Sequence, residues 1–203
     1  MKHWLWINPV TQNMYDLPAL EAELLTKGFT IAVCAQDHID TVRQKYRAAI
    51  TAEQRCIADM RCPMAVNYIK NTYHPKGLIY PNIEPILLHC ARELYARMDQ
   101  TDCLIVTTPC AALSDMGNRL KLSNVNFLTW AQFARLQNIT QQPKPLQASP
   151  IPPGFFSPLN LDCTVLDSKS KIDRYFSASQ NEPKKNLLEL LYCAGGCHNG
   201  DGL

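Results

Sequence analysis

Cys103-Leu-Ile-Val-Thr-Thr-Pro-Cys110, followed by Ala111-Ala-Leu-Ser-Asp-Met-Gly-Asn-Arg-Leu-Lys-Leu122, decides the fold class of this chain. Apolar and β-branched residues read as a strand, the threonine pair and Pro109 stop it, and Ala111–Leu122 has a helical pattern. Immediately downstream, Val125–Leu128 reads as a second strand and Thr129–Leu136 as a second helix, with Thr129 as its N-cap. Strands alternating with helices predict a parallel α/β sheet with helices flanking it.

Moving toward the N-terminus, the alternation continues. Asp16 caps a helix with Pro18 in its first turn and Gly28 just past its end. Phe29–Cys34 then reads as a buried strand and Asp37–Ala49 as a helix. Pro63–His74 and Ile83–Met98 read as two more helices, the second opened by Asn82. Toward the C-terminus the pattern breaks between Gln141 and Pro158, where six prolines (143, 145, 150, 152, 153 and 158) predict an extended segment. A strand at Asp162–Leu166, a helix at Ser168–Ser177, a polar turn at Ser179–Lys185 and a strand at Leu187–Tyr192 follow. The expected organisation is a main α/β domain over 1–140, a linker over 141–158, and a short βαβ unit over 159–203 docked on the main domain.

Composition excludes several function classes. The chain has 203 residues, 46% of them hydrophobic, which is ordinary for a globular protein. A formal charge of +2 provides no electrostatic footprint for nucleic acid. Apolar runs such as Phe29–Ala35 are far too short to span a bilayer, and residues 1–9 lack the apolar core of a signal peptide. The expectation is therefore a cytoplasmic protein with neither a membrane nor a nucleic-acid partner. Nine cysteines in a reducing compartment leave burial and metal ligation as explanations, because disulfides are rare there.

The cysteines differ in setting. Cys193 and Cys197 sit four apart in Glu189-Leu-Leu-Tyr-Cys193-Ala-Gly-Gly-Cys197-His-Asn-Gly-Asp-Gly-Leu203, and four of the eight glycines fall between Gly195 and Gly202. Glycine lets backbone approach a bulky object closely, so this run reads as a strand delivering two thiolates to an iron–sulfur cluster or another metal. Cys62 precedes Pro63 at a helix start, where the dipole favours a thiolate, and Cys110 occupies a similar strand–loop–helix position. Such loops gather at the carboxyl ends of parallel strands. Four thiolates are the complement of a [4Fe–4S] cubane, and a tetrahedral zinc site is the alternative. Each cysteine also has a purely structural reading. Cys34 and Cys103 fall in apolar runs and read as core, as does Cys90 on a helix in Leu87-Leu-His-Cys90, with His89 beside it read as satisfied structurally. Cys56 and Cys163 are not placed by the sequence.

Arg61-Cys62-Pro63, Thr108-Pro109-Cys110 and Glu189–Gly200 resemble, in order, the three cysteine motifs of the [FeFe]-hydrogenase catalytic domain. Pro81–Leu87 and Asn126–Thr129 resemble the loop and helix after the first motif and the strand and helix after the second. The resemblance spans roughly residues 15–140 and 160–203. It implies a hydrogenase large-subunit-like α/β fold with a shortened second lobe, and one [4Fe–4S] cluster on Cys62, Cys110, Cys193 and Cys197. It also implies losses. Arg61 stands where the family has a proton-relaying cysteine. Leu113, Met116 and Leu191 stand where it has the lysine, glutamate and methionine that serve a binuclear iron site. The resemblance therefore implies electron transfer or redox sensing rather than hydrogen turnover, with electrons entering from a separate redox partner protein. An active hydrogenase-type enzyme is a further alternative, requiring a relay other than Arg61. A fixed positive charge at Arg61, beside a cluster ligand, is expected to favour the reduced cluster.

Overall fold

The computed structural model describes residues 1–178 and 186–203. Its eight strands are β1 (His3–Trp6), β2 (Phe29–Ile31), β3 (Cys56–Ala58), β4 (Leu78–Ile79), β5 (Cys103–Thr108), β6 (Val125–Thr129), β7 (Cys163–Leu166) and β8 (Leu187–Leu190). The helices are α1 (Pro9–Met14), α2 (Leu17–Thr26), α3 (His38–Ala52), α4 (Pro63–Thr72), α5 (Ile86–Arg97), α6 (Ala111–Asn118), α7 (Trp130–Leu136) and α8 (Lys169–Ser177). The strands form two four-stranded sheets, ordered β2-β1-β5-β6 and β4-β3-β8-β7. Every pairing in both is parallel, so the expected parallel α/β architecture is observed.

Each sheet lies in its own compact unit, and neither unit is contiguous in sequence. The first comprises residues 1–36, 87–151 and 197–203, and the second 37–86 and 152–196. This differs from a division into 1–140 and 159–203. The stretch 159–196 does contain a βαβ unit, but β8 pairs directly with β3, so the unit completes a sheet begun upstream.

In the first unit, β1 is an inner strand, with Leu5 in it and Ile7 just past its end both fully buried. They pack with Leu20 and Leu24 of α2, Phe29 of β2, and Trp130 and Phe133 of α7. The start of β1 is pinned by Asp102, whose carboxylate accepts from the Lys2 amide at 2.8 Å and the Trp4 indole at 2.9 Å. Asn8 caps α1, and its amide donates to the Thr107 hydroxyl of β5. Helix α7 opens with a capping box, Thr129 and Gln132 exchanging side-chain and backbone bonds. Helix α6 lies so close to β6 that a methyl group on Gly117 would overlap the Phe127 ring, which explains a glycine inside a helix.

Helix and strand ends shift in readable ways. Helix α5 begins at Ile86 rather than Ile83, because Glu84 precedes Pro85 and the residue before proline avoids the helical region. Helix α6 ends at Asn118 rather than Leu122, and Lys121 and Asn124 take positive φ on the way into β6. Strand β2 stops at Ile31. The turn read over Ser179–Lys185 lies outside the described residues.

The second unit packs helices on both faces of its sheet. One face gathers Ala65, Val66 and Ile69 of α4 with Ile172 and Phe176 of α8. The other gathers Val42 and Tyr46 of α3 with Ile57, Leu187 and Phe156. The Pro-rich stretch thus delivers Phe155 and Phe156 to this core. Among the described residues, no helix is long and apolar enough to cross a membrane.

Candidate metal centre

Two of the four candidate cysteines, Cys62 and Cys193, lie in the second unit. Strands β3 and β8 are neighbours, and Cys62 and Cys193 follow their carboxyl ends by four and three residues. Cys62 is the N-cap of α4, with Pro63 at the first helical position. Burial raises its thiol above the ordinary range, while the Ala65 and Tyr192 amides, facing the sulfur, pull the other way. The Ala65 amide does so without closing a capping hydrogen bond. The Cys193 thiol adds a further, smaller upward push. Desolvation opposes a charged thiolate and amide donors favour it, a combination that suits a sulfur whose charge is taken up by a metal.

The other two belong to the first unit. Cys110 follows β5 and is the N-cap of α6 in extended conformation. The C-terminal tail, which begins at Cys197, lies against it. The Gly202 amide donates to the Pro109 carbonyl at 3.1 Å, and the Gly202 carbonyl accepts from the Ala131 amide at 2.9 Å. The Asp201 carboxylate accepts from the Ala111 amide at 3.0 Å, capping α6 from outside. A methyl group on Gly200 would overlap the Pro109 carbonyl, and one on Gly202 would lie 3.0 Å from the Cys110 Cα. The glycines therefore let the tail seat directly on the loop carrying Cys110.

Arg61 does not present a free charge. Its guanidinium forks onto Asp59, with Nη2 2.7 Å from Oδ2 and Nε 3.0 Å from Oδ1. Nη2 also reaches Glu189 Oε1 at 3.3 Å. Burial alone would lower its pKa, but the two carboxylates outweigh that and hold the guanidinium charged. The fixed positive charge expected at Arg61 is present, and its partners are two carboxylates that motif reading did not pair with it. The sequence signal was the buried-strand setting of Glu189, where a carboxylate requires a cation or donors. Leu113 and Leu191 are buried apolar side chains.

A second group of ligand-type side chains exists. The ligand atoms of Cys34, His38 and Cys90 all lie within 4.8 Å of one another and could hold a metal ion. The core reading holds for Cys90, which is buried, but not for Cys34 or Cys103, which are partly exposed. A hydrogen bond with Cys90 is the main cause lowering the Cys34 thiol, against burial. The spacing Cys34-x3-His38 was the available clue. Cys56 and Cys163 flank β8 on β3 and β7. Burial pushes their thiols up to about 12 and about 11, which disfavours the reactive thiolate form.

No protein-family model matches the chain, and no curated protein matches it in sequence. Solved structures do match its fold. The apo form of a point variant of the [FeFe]-hydrogenase HydA1 from Chlamydomonas reinhardtii superposes with a TM-score of 0.64 at 11% identity, covering 98% of this chain and 79% of that one. A second variant of the same enzyme gives a TM-score of 0.64 at 10% identity with the same coverage. The two parallel sheets and their flanking helices therefore make a hydrogenase-like α/β fold, as the cysteine motifs implied.

Proposed function

We propose that this chain holds one [4Fe–4S] cluster on Cys62, Cys110, Cys193 and Cys197, and serves electron transfer or redox sensing rather than hydrogen turnover. The observation that carries the reading is where the fold puts the loops bearing these cysteines. Cys62 and Cys193 follow adjacent strands of one sheet in the second unit, and the tail that begins at Cys197 seats on the loop carrying Cys110 in the first. Cys193 and Cys197 are four positions apart in sequence, a covalent reach of at most ~14 Å. The donor set fits the group: four thiolates complete a cubane's ligation, and all four are present. Such a cluster supplies one-electron chemistry when bound. Amides directed at sulfur, as those of Ala65 and Tyr192 are at Cys62, stabilise thiolate charge and adjust a cluster's potential.

The residues at the relay position support the second half of the reading. Arg61 stays protonated at any working pH and is tied to Asp59 and Glu189, so it neither accepts nor passes on a proton. Electrons would then be exchanged with a separate redox partner protein. Anaerobic purification followed by metal and sulfide analysis tests the proposal, with about four iron and four acid-labile sulfides expected per chain. A colourless protein free of iron would refute it. Zinc without sulfide on the same cysteines would instead make the chain a structural zinc module.

A further inference from the structure

The β3–β8 ladder makes its last strand pairing at Ala58 and Leu188. The Asp59 amide then bonds the Leu188 carbonyl at 2.9 Å, and from there side chains hold the two strands together. The Asp59 carboxylate accepts from the Leu190 amide at 3.3 Å on the far strand and from the Arg61 amide at 3.0 Å in its own loop. It also takes the Arg61 fork and the Tyr46 hydroxyl. Arg61 continues across to Glu189, whose Oε1 accepts from the Gly154 and Phe155 amides at 2.9 and 3.0 Å. The guanidinium carbon lies 3.7 Å from the Phe155 ring centre and 4.9 Å from that of Phe156. Asp59 and Glu189 are fully buried and Arg61 is 8% exposed.

We infer that Arg61 is a positioning residue: it clamps the loop bearing Cys62 to the strand leading to Cys193 and so sets the spacing of that thiol pair. The inference rests on the proposed reading in that these thiols are metal ligands, but the clamp itself belongs to the metal-free chain. A buried ion triad contributes little net stability, since apolar groups of the same volume do as well. What charges in fixed directions add is register. Here the register is that of Arg61, adjacent to Cys62, against Glu189, four residues before Cys193. A fork on Asp59 and a third bond to Glu189 leave the guanidinium no freedom to rotate. Stacking on Phe155 then fixes the Pro-rich segment over the same point.

The test compares wild type with Arg61→Lys and Glu189→Gln. Lysine keeps the charge but cannot fork; glutamine keeps an acceptor for the Gly154 and Phe155 amides and loses the ion pair. In metal-free protein, amide exchange at Arg61 and Leu190 is expected to rise about tenfold or more in both variants, with β5 amides unchanged. Alkylation of Cys62 should rise in parallel. In cobalt(II)-loaded protein the thiolate-to-metal charge-transfer bands should shift or broaden, a change in ligand geometry that a general loss of stability does not produce. If Arg61→Lys fails to fold, Glu189→Gln carries the comparison. Unchanged exchange at Arg61 and Leu190, with unchanged Cys62 alkylation and cobalt bands, overturns the clamp. A wild-type protein that binds neither iron nor cobalt refutes the proposed function instead, while the exchange comparison still decides the clamp.

Discussion

Replacing Gly200 with alanine should detach the C-terminal tail while leaving the rest of the first unit folded. The added methyl would overlap the Pro109 carbonyl and crowd the Cys197 carbonyl at 3.1 Å. Both obstacles are backbone, so no side chain can swing away, and such overpacking costs about 1–3 kcal/mol. Against this stands what seats the tail: the backbone bonds Gly202–Pro109 and Ala131–Gly202, the Asp201 cap on Ala111, and Leu203 packed at the edge of the core. At ~1 kcal/mol for each net hydrogen bond, docking is worth roughly 2–4 kcal/mol. Strain and docking are therefore comparable, and the tail lets go before the sheet does. A shift of about 2 kcal/mol raises the undocked fraction roughly 30-fold. Amide exchange at Ala131 and Gly202 reads that fraction, and the melting temperature should move little because Leu5, Ile7, Trp130 and Phe133 keep their packing. Iron content should fall with docking if Cys197 is a ligand. Unchanged exchange at Ala131 and Gly202 would refute the argument that glycine is required there by close approach.

Other expectations follow from single contacts. Cys193→Ser and Cys197→Ser should lose iron, whereas Cys56→Ser, in a buried strand, should keep it at some cost in packing; equal loss in all three would merge the ligand and core classes. Because its bond with Cys90 holds the Cys34 thiol below its usual range, Cys34 should be alkylated near neutral pH well before Cys56 or Cys163. Mass-spectrometric mapping checks that order, and earlier labelling of Cys56 would contradict it. Asp173 accepts from Lys169, Tyr68 and Tyr73, which lower its carboxyl to about 2. A depressed folded-state pKa means that its support of the α8–α4 packing is present above the ordinary carboxylate value and lost as pH falls toward about 2. Tyrosine fluorescence through an acid titration should show that step, and Asp173→Asn should remove it.

Much of the fold was legible because local signals agreed with one another. Asp16, Asp37, Thr129 and Ser168 all cap helices, each being a short polar side chain just ahead of an apolar repeat. Strand β5 announced itself by six residues of apolar and β-branched character. Strands β3 and β4 did not, with three and two residues. Elements that short are held by their neighbours, and no periodicity can emerge over one turn of pattern. The same limit hid β1, four residues with two tryptophans at the start of the chain.

For the site, residue types and spacing already separated Cys193 and Cys197 from the cysteines in apolar runs, because glycine beside thiol is a local pattern. The sequence by itself also determined that the sheets are parallel, since strand, helix and strand alternate at spacings only a crossover satisfies. Only the tertiary structure decided which strands share a sheet, and with that the partners of the buried charges. Residues 56–62 and 187–193 lie more than a hundred positions apart, and their meeting rests on the burial of both strand faces by α3, α4 and α8. That meeting turns Arg61 from an isolated cation beside a cysteine into the shared partner of Asp59 and Glu189. A buried charge must find its counter-charge wherever the core places it, and the core is assembled from all of the chain at once.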